Sequence, residues 1–202
     1  MKPHPNRRRA TIHILFAAAS LSLTPARADE AEAKVKDIRE RYTRTESTKL
    51  RAKEMEFTSN SDPISGTFTR YYLGDTLVKI KLSYGMGDHG GSEEYYYYDH
   101  GELLFAFATD SAWGFTGETL PNGEGATIDT AIEHRAYFFD GALVRHLSRE
   151  AKSKDAAAIP KLLQKAQNQA SSDSDRATRL YSVGTGAYNA NDGAGILGLL
   201  ID

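Results

Sequence analysis

Few residues in this chain could do chemistry, and none stands at a spacing dedicated to one reaction. Beyond residue 28 there are four histidines, His89, His100, His134 and His146, and the whole chain has no cysteine. Glu133, Arg135 and His146 are the best acid–base candidates. A two-residue turn at Asp140-Gly141 would set Arg135 opposite His146, with Glu133 diagonally beside it. In such a cluster the carboxylate favours the protonated imidazole and the arginine steadies an anion. The same trio also describes a cross-strand polar cluster on a wet sheet face, and that is the expectation. Asp88-His89 lies in a glycine-rich stretch before Glu93 and Glu94 and offers oxygen and nitrogen donors to a divalent metal. No HExxH, paired-histidine or calcium-loop spacing accompanies it, so a solvated loop without metal or cofactor is expected. Gly85-x-Gly87-x-x-Gly90 matches a dinucleotide fingerprint in letters alone, because no apolar helix follows it. There is no Gly-x-Ser-x-Gly elbow.

The candidates for binding are Arg70, Lys79, Lys81, Trp113 and Phe115. With Gly74-Asp75 as a turn, strict pairing puts Thr69, Tyr71, Val78, Ile80 and Leu82 on a core face. Phe68, Arg70, Tyr72, Leu77, Lys79 and Lys81 then share the other face, with Arg70 opposite Lys79. That face is expected to be solvated, with a weak anion or acidic-partner surface as the alternative. Trp113 and Phe115 fall in a long connection, 109–130, tipped by Pro121-Asn122-Gly123. Their expected role is to cap the open end of the sheet, with ligand stacking as the second option.

The elements that would position these residues are three hairpins. Each has paired aromatics, a short glycine-bearing turn and then an apolar run: Tyr71-Tyr72 before Gly74-Asp75, Tyr95 to Tyr98 before His100-Gly101, and Tyr137-Phe138-Phe139 before Asp140-Gly141. In the second, strict alternation places Tyr96 and Tyr98 with Leu103, Phe105 and Phe107. A helix is expected over 29–45, from Val35, Ile38 and Tyr42 at helical spacing, and a strand over 50–58. A second helix should run from Pro160 to about Gln169. The fold class is therefore α+β, mainly β: an antiparallel meander of about six to eight strands with one helix at each end. Residues 29–170 form the domain, and 171–202 is read as a linker-like, glycine-rich tail with an apolar end.

These hairpins resemble small exported bacterial β-meander proteins of uncharacterised function, over most of 50–149. The elements that carry the likeness are 66–80, 94–107 and 135–145, with their Tyr-Tyr, turn and Leu-x-Lys-Ile, Leu-x-Phe-x-Phe or Arg-x-Tyr-aromatic pieces. The resemblance implies a fold and an envelope setting, and no catalytic residues.

Residues 1–28 have the form of a secretory signal. Arg7, Arg8 and Arg9 precede an apolar stretch too short to span a bilayer, and Ala26-Arg27-Ala28 supplies a cleavage pattern. Those residues carry five basic and no acidic side chains, so their loss takes the formal charge from −2 to about −7. Such a balance disfavours nucleic acid and anionic lipid as partners. After cleavage no transmembrane segment is expected, and a periplasmic or secreted address follows. The function expected is a non-catalytic binding or accessory module contacting an envelope protein or small ligand. The alternatives are a carrier with a cavity of Tyr96, Tyr98, Phe105 and Phe107, and an enzyme using Glu133, Arg135 and His146.

Overall fold

A computed structural model describes residues 25–201, with side chains from residue 28 onward. The expected signal segment falls almost wholly outside the described residues. Eight strands form one antiparallel sheet in the order of the chain: β1 (Arg51–Thr58), β2 (Ile64–Leu73), β3 (Thr76–Met86), β4 (Gly90–Asp99), β5 (Glu102–Thr119), β6 (Gly125–Phe139), β7 (Ala142–Ser153) and β8 (Gln169–Ala170). Helix α1 (Pro25–Glu46) lies on one face, and α3 (Ser174–Asn189) and α4 (Gly193–Ile201) cover the other. The short α2 (Ile159–Lys165) covers Ala131 and Ala151 beside α1's face. Among the described residues no helix is long and apolar enough to cross a membrane.

The three expected turns are present. His100 and Gly101 have φ of 48° and 89°, and Asp140 and Gly141 have 49° and 73°, the sign pattern of a type I′ turn. Register departs from strict pairing just beyond each turn. Tyr72 pairs with Leu77 but Tyr71 with Lys79, Tyr98 with Leu103 but Tyr97 with Phe105, and Phe138 with Leu143 but Tyr137 with Arg145. Val78, Leu104 and Val144 are thus extra residues, one bulge per hairpin at the third position of the returning strand. A one-residue slip moves every later side chain to the other face.

The expected faces change accordingly. Phe68, Ile80 and Leu82 lie together in the core under α3 and α4, whereas Tyr71 was expected there in place of Phe68. Arg70 opposes Ile80, not Lys79. Phe105 joins Tyr97 and Tyr137 beneath α1, away from Tyr96 and Tyr98. Residues 109–130 are not a loop. They belong to the longest hairpin, in which Trp113 pairs with Asp129 and Phe115 with Thr127. Its glycines interrupt the apolar alternation by which strands are recognised.

The largest correction concerns the segment expected to be a linker-like tail, which carries two packed helices, Ser174–Asn189 and Gly193–Ile201. Leu180, Val183, Ala187, Ile196 and Leu200 supply part of the main core. Asp173 caps α3, its carboxylate accepting from the Arg176 amide at 2.8 Å. The glycines that made this stretch look linker-like serve close approach: a Cβ at Gly184 would lie 2.6 Å from Tyr96 Cδ1. α2 in turn stops earlier than expected, at Lys165, because the chain leaves it to pair as β8 with Leu147 and Ser148.

Candidate functional site

Between α1 and the sheet a groove of about 420 Å³ is lined by Ile38, Arg39, Tyr42 and Thr43 from the helix. Phe105, Phe107, Arg135 and Tyr137 line it from β5 and β6. The floor is an aromatic file, with ring centroids of Phe105 4.9 Å from Tyr137 and 5.7 Å from Tyr97. Tyr42 stands edge-on to Tyr97 and Phe105 at 5.0 and 5.5 Å. Burial, followed by the Glu46 charge, raises the Tyr42 pKa, so the phenol stays neutral.

Two arginines edge this apolar surface. Arg135 lies 4.9 Å over the Phe107 ring, donates to Asn168 Oδ1 at 2.8 Å and pairs with Glu133 at 2.8 Å. Glu133 is also gripped by Arg149 through two hydrogen bonds of 2.7 and 2.8 Å. One carboxylate therefore serves two guanidinium groups. Arg39 donates its Nε–H to Tyr137 Oη at 3.4 Å, and among the described residues no carboxylate pairs with it. Glu32, whose pKa is lowered chiefly by its hydrogen bond to Arg145 and more weakly by Arg39, is committed to Arg145 at 2.6 Å.

The opposite face holds a closed polar network. Glu94 has no exposed surface and accepts from Tyr84 Oη at 3.1 Å, Ser92 Oγ at 3.2 Å, Tyr96 Oη and Arg176 Nη2 at 2.8 Å. Arg176 also grips Asp110 through bonds of 2.8 and 2.7 Å. Burial opposes the charge of Arg176, but Glu94 and Asp110 outweigh it and raise its pKa. Burial, then the Glu94 charge, pushes Tyr84 up to about 12 and Tyr96 well above the usual phenol range. These phenols are fixed donors and not acid–base groups near neutrality.

Beside this network His134 Nδ1 and His146 Nε2 meet at 3.1 Å, and His134 Nε2 lies 3.5 Å from Asp110. Burial lowers both pKa values, more than the carboxylates of Asp110 and Asp173 raise them. A polar cleft of about 520 Å³ has His134 and Ser148 on its floor and the 166–173 segment on its rim. His134 has both nitrogens engaged within the protein.

The expected Glu133/Arg135/His146 cluster does not assemble. The bulge at Val144 puts Leu147 opposite Arg135 and Arg149 opposite Glu133, while His146 turns to the other face, opposite Ala136. His146 is also buried, not on a wet face. Arg70 donates to the carbonyls of Tyr188 and Ala190 at 3.0 Å, where a cation neutralises the C-terminus of α3. Lys79 pairs with Glu46 at 2.6 Å and Lys81 with Glu93 at 2.7 Å. His89 stacks on Trp113 at 4.5 Å, and Trp113 Nε1 donates to the Asp88 carbonyl at 2.5 Å. Asp88 itself stands 3.7 Å from His89, and among the described residues no set of three potential metal ligands gathers. Phe115 is exposed beside Trp113, with its ring over Gly125.

Of the residues that make up the groove and the network, the sequence singled out Arg135, Phe105, Phe107 and Tyr96, offered Glu94 only as a neighbour of Asp88-His89, and left Arg39, Asp110 and Arg176 unmarked. Val35, Ile38 and Tyr42 mark the inner face of α1, and Arg39 next to Ile38 is the legible hint of the groove. Comparison of the chain with family models, with curated proteins and with solved structures finds no match.

Proposed function

We propose that the chain is an exported, non-catalytic binding module of the bacterial envelope whose ligand seat is the groove between α1 and the sheet. The observation that carries this reading is an open aromatic surface, about 420 Å³ in volume, edged by two arginines and formed by side chains from a helix and two strands. Its size lies in the range of about 300–1,000 Å³ usual for small-molecule sites, and a few polar groups beside an apolar lining is their usual chemistry. The other polar groups support the same assignment. Glu94, Asp110 and Arg176 satisfy one another, and Glu133 and His146 stand on opposite faces of the sheet. Export is supported by the basic start, apolar stretch and Ala26-Arg27-Ala28 of the N-terminal segment.

A neutral, environment-sensitive fluorophore such as N-phenyl-1-naphthylamine tests the seat. Saturable binding at one site is expected, and Thr43→Trp, which fills the groove from an exposed helix position, should abolish it while leaving the melting temperature in place. Absence of saturable binding, or binding indifferent to Thr43→Trp, would refute the groove as the seat. Export has its own test: N-terminal sequencing of protein recovered outside the cytoplasm should begin at Asp29.

A further inference from the structure

We infer that the groove takes a single-chain amphiphile with a carboxylate head, the head held by Arg39 beside Tyr137 and the apolar body lying on Phe105 and Phe107 toward Tyr42. This rests on the groove being the ligand seat and adds the chemistry of its ligand.

The argument begins with charge. Arg135 and Arg149 share the single carboxylate of Glu133, so that triad keeps a net positive charge at the edge of the groove. Arg39 adds a second, held by Tyr137 alone among the described residues, through its Nε hydrogen bond and a guanidinium-to-ring distance of 5.6 Å, with no carboxylate partner. Elsewhere on the same face Lys79 is matched by Glu46, Lys81 by Glu93, and Arg41 by two carboxylates, Asp37 and Asp99. The positive excess on this face therefore falls beside the apolar groove, although the chain as a whole is acidic. A guanidinium presents its remaining N–H groups as a planar fork that fits a carboxylate, and beside a low-dielectric aromatic wall such a bond is stronger than in water.

Shape sets the rest of the ligand. The lining beyond the arginines is Ile38, Tyr42, Phe105, Phe107 and Tyr137, which offers ring faces and few hydrogen-bonding groups. At about a water's share of volume per heavy atom, 420 Å³ admits a body of roughly ten to fourteen such atoms. That suits one chain or one small aromatic acid and is too little for a two-chain lipid. The formal excess of acidic residues across the chain also opposes docking on an anionic bilayer, which distinguishes a free amphiphile from a membrane as the source.

Displacement of the bound neutral fluorophore separates charge from apolarity. Decanoate and decanol share a chain and differ in the head, and both are used below the concentrations at which they aggregate. Decanoate should displace the fluorophore at about one tenth of the decanol concentration, as one charge-assisted contact implies. The advantage should shrink between about 0.05 M and about 0.5 M salt. Arg39→Gln should bring the two ligands together, each displacement being referred to the fluorophore's affinity measured for that variant. Equal displacement in the unmodified protein, or a decanoate advantage that survives Arg39→Gln, would overturn the inference and leave the groove reading standing. Failure of the fluorophore to bind would remove both. Co-sedimentation with phosphatidylglycerol vesicles should be absent, and vesicle binding that Thr43→Trp abolishes would assign the groove to a bilayer instead.

Discussion

On the α3/α4 face Glu94 and Arg176 meet at 2.8 Å with almost no exposed surface, whereas on the α1 face Arg39 is exposed and pairs with no carboxylate among the described residues. Both faces belong to the same strands, and successive residues alternate between them: Glu94 points one way, and Glu93 and Tyr95 the other. The difference lies in what covers each face. Two helices carrying Leu180, Val183, Ile196 and Leu200 close one side over a network whose donors and acceptors are matched. On the other side α1 and the short α2 each cover a part, and an aromatic strip stays open beside α1. Buried charge on the closed face fixes how the helices sit, and unmatched charge on the open face is available to something outside the chain.

The comparison is broken most severely at Arg176. Arg176→Met leaves the buried carboxylate of Glu94 and the half-buried one of Asp110 without their cation and should cost about 3–5 kcal/mol, measured by urea denaturation. Fluorophore binding on the opposite face should persist below the transition. A loss under about 1 kcal/mol would mean that the network does not hold the helices. Gly184→Ala follows, because its new Cβ must displace the Tyr96 and Leu103 side chains. It should cost about 1–3 kcal/mol by the same measurement, and the α1 groove should be unaffected.

Acid should act on the closed face through the histidine pair. Burial holds both folded-state pKa values below the usual 6.5, so the unfolded chain binds more protons through that window. The stability that the neutral pair contributes is full above about 6.5 and is lost as pH falls through the folded values. Urea midpoints should drop between about pH 7.5 and pH 5.5, and this part of the drop should vanish when both histidines are replaced by glutamine. Unchanged pH dependence in that double variant would sink the assignment. The smallest effect belongs to the open face, where Arg39→Gln should change stability by less than about 0.5 kcal/mol.

Strand existence, the three turns and the N-terminal helix were legible because each rests on local chemistry: aromatic and β-branched runs, residues tolerant of positive φ, and helical spacing in α1. What each strand faces was not. Val78, Leu104 and Val144 are apolar residues inside apolar runs, so the slip each introduces leaves alternation looking intact, and Arg135 was matched to His146 when it opposes Leu147. The three bulges share a legible pattern, a leucine followed by Val or Leu two residues after the turn. It becomes a signal only when the hairpins are aligned on their turns. The C-terminal helices were missed for another reason. Gly184 and Gly186 lower helix propensity, and only the sheet they approach makes up for it. Glu94 and Arg176, 82 residues apart, carry no local pattern at all.

The order of the strands also sets an order of events in time. Every strand from β1 to β7 pairs with its immediate neighbour along the chain, so the sheet can close hairpin by hairpin with short loops and little entropy lost at each step. Arg176 arrives only after β8, on the last part of the chain. Until then Glu94 sits on a bare sheet face that water can still reach. This topology predicts that α3 and α4 dock after the sheet has formed, to be checked by folding and unfolding rates of variants in the two helices. Contacts formed that late belong to the barrier against unfolding more than to the rate of folding. Loss of Arg176 should accordingly quicken escape from the native state while leaving the speed of its formation nearly as before.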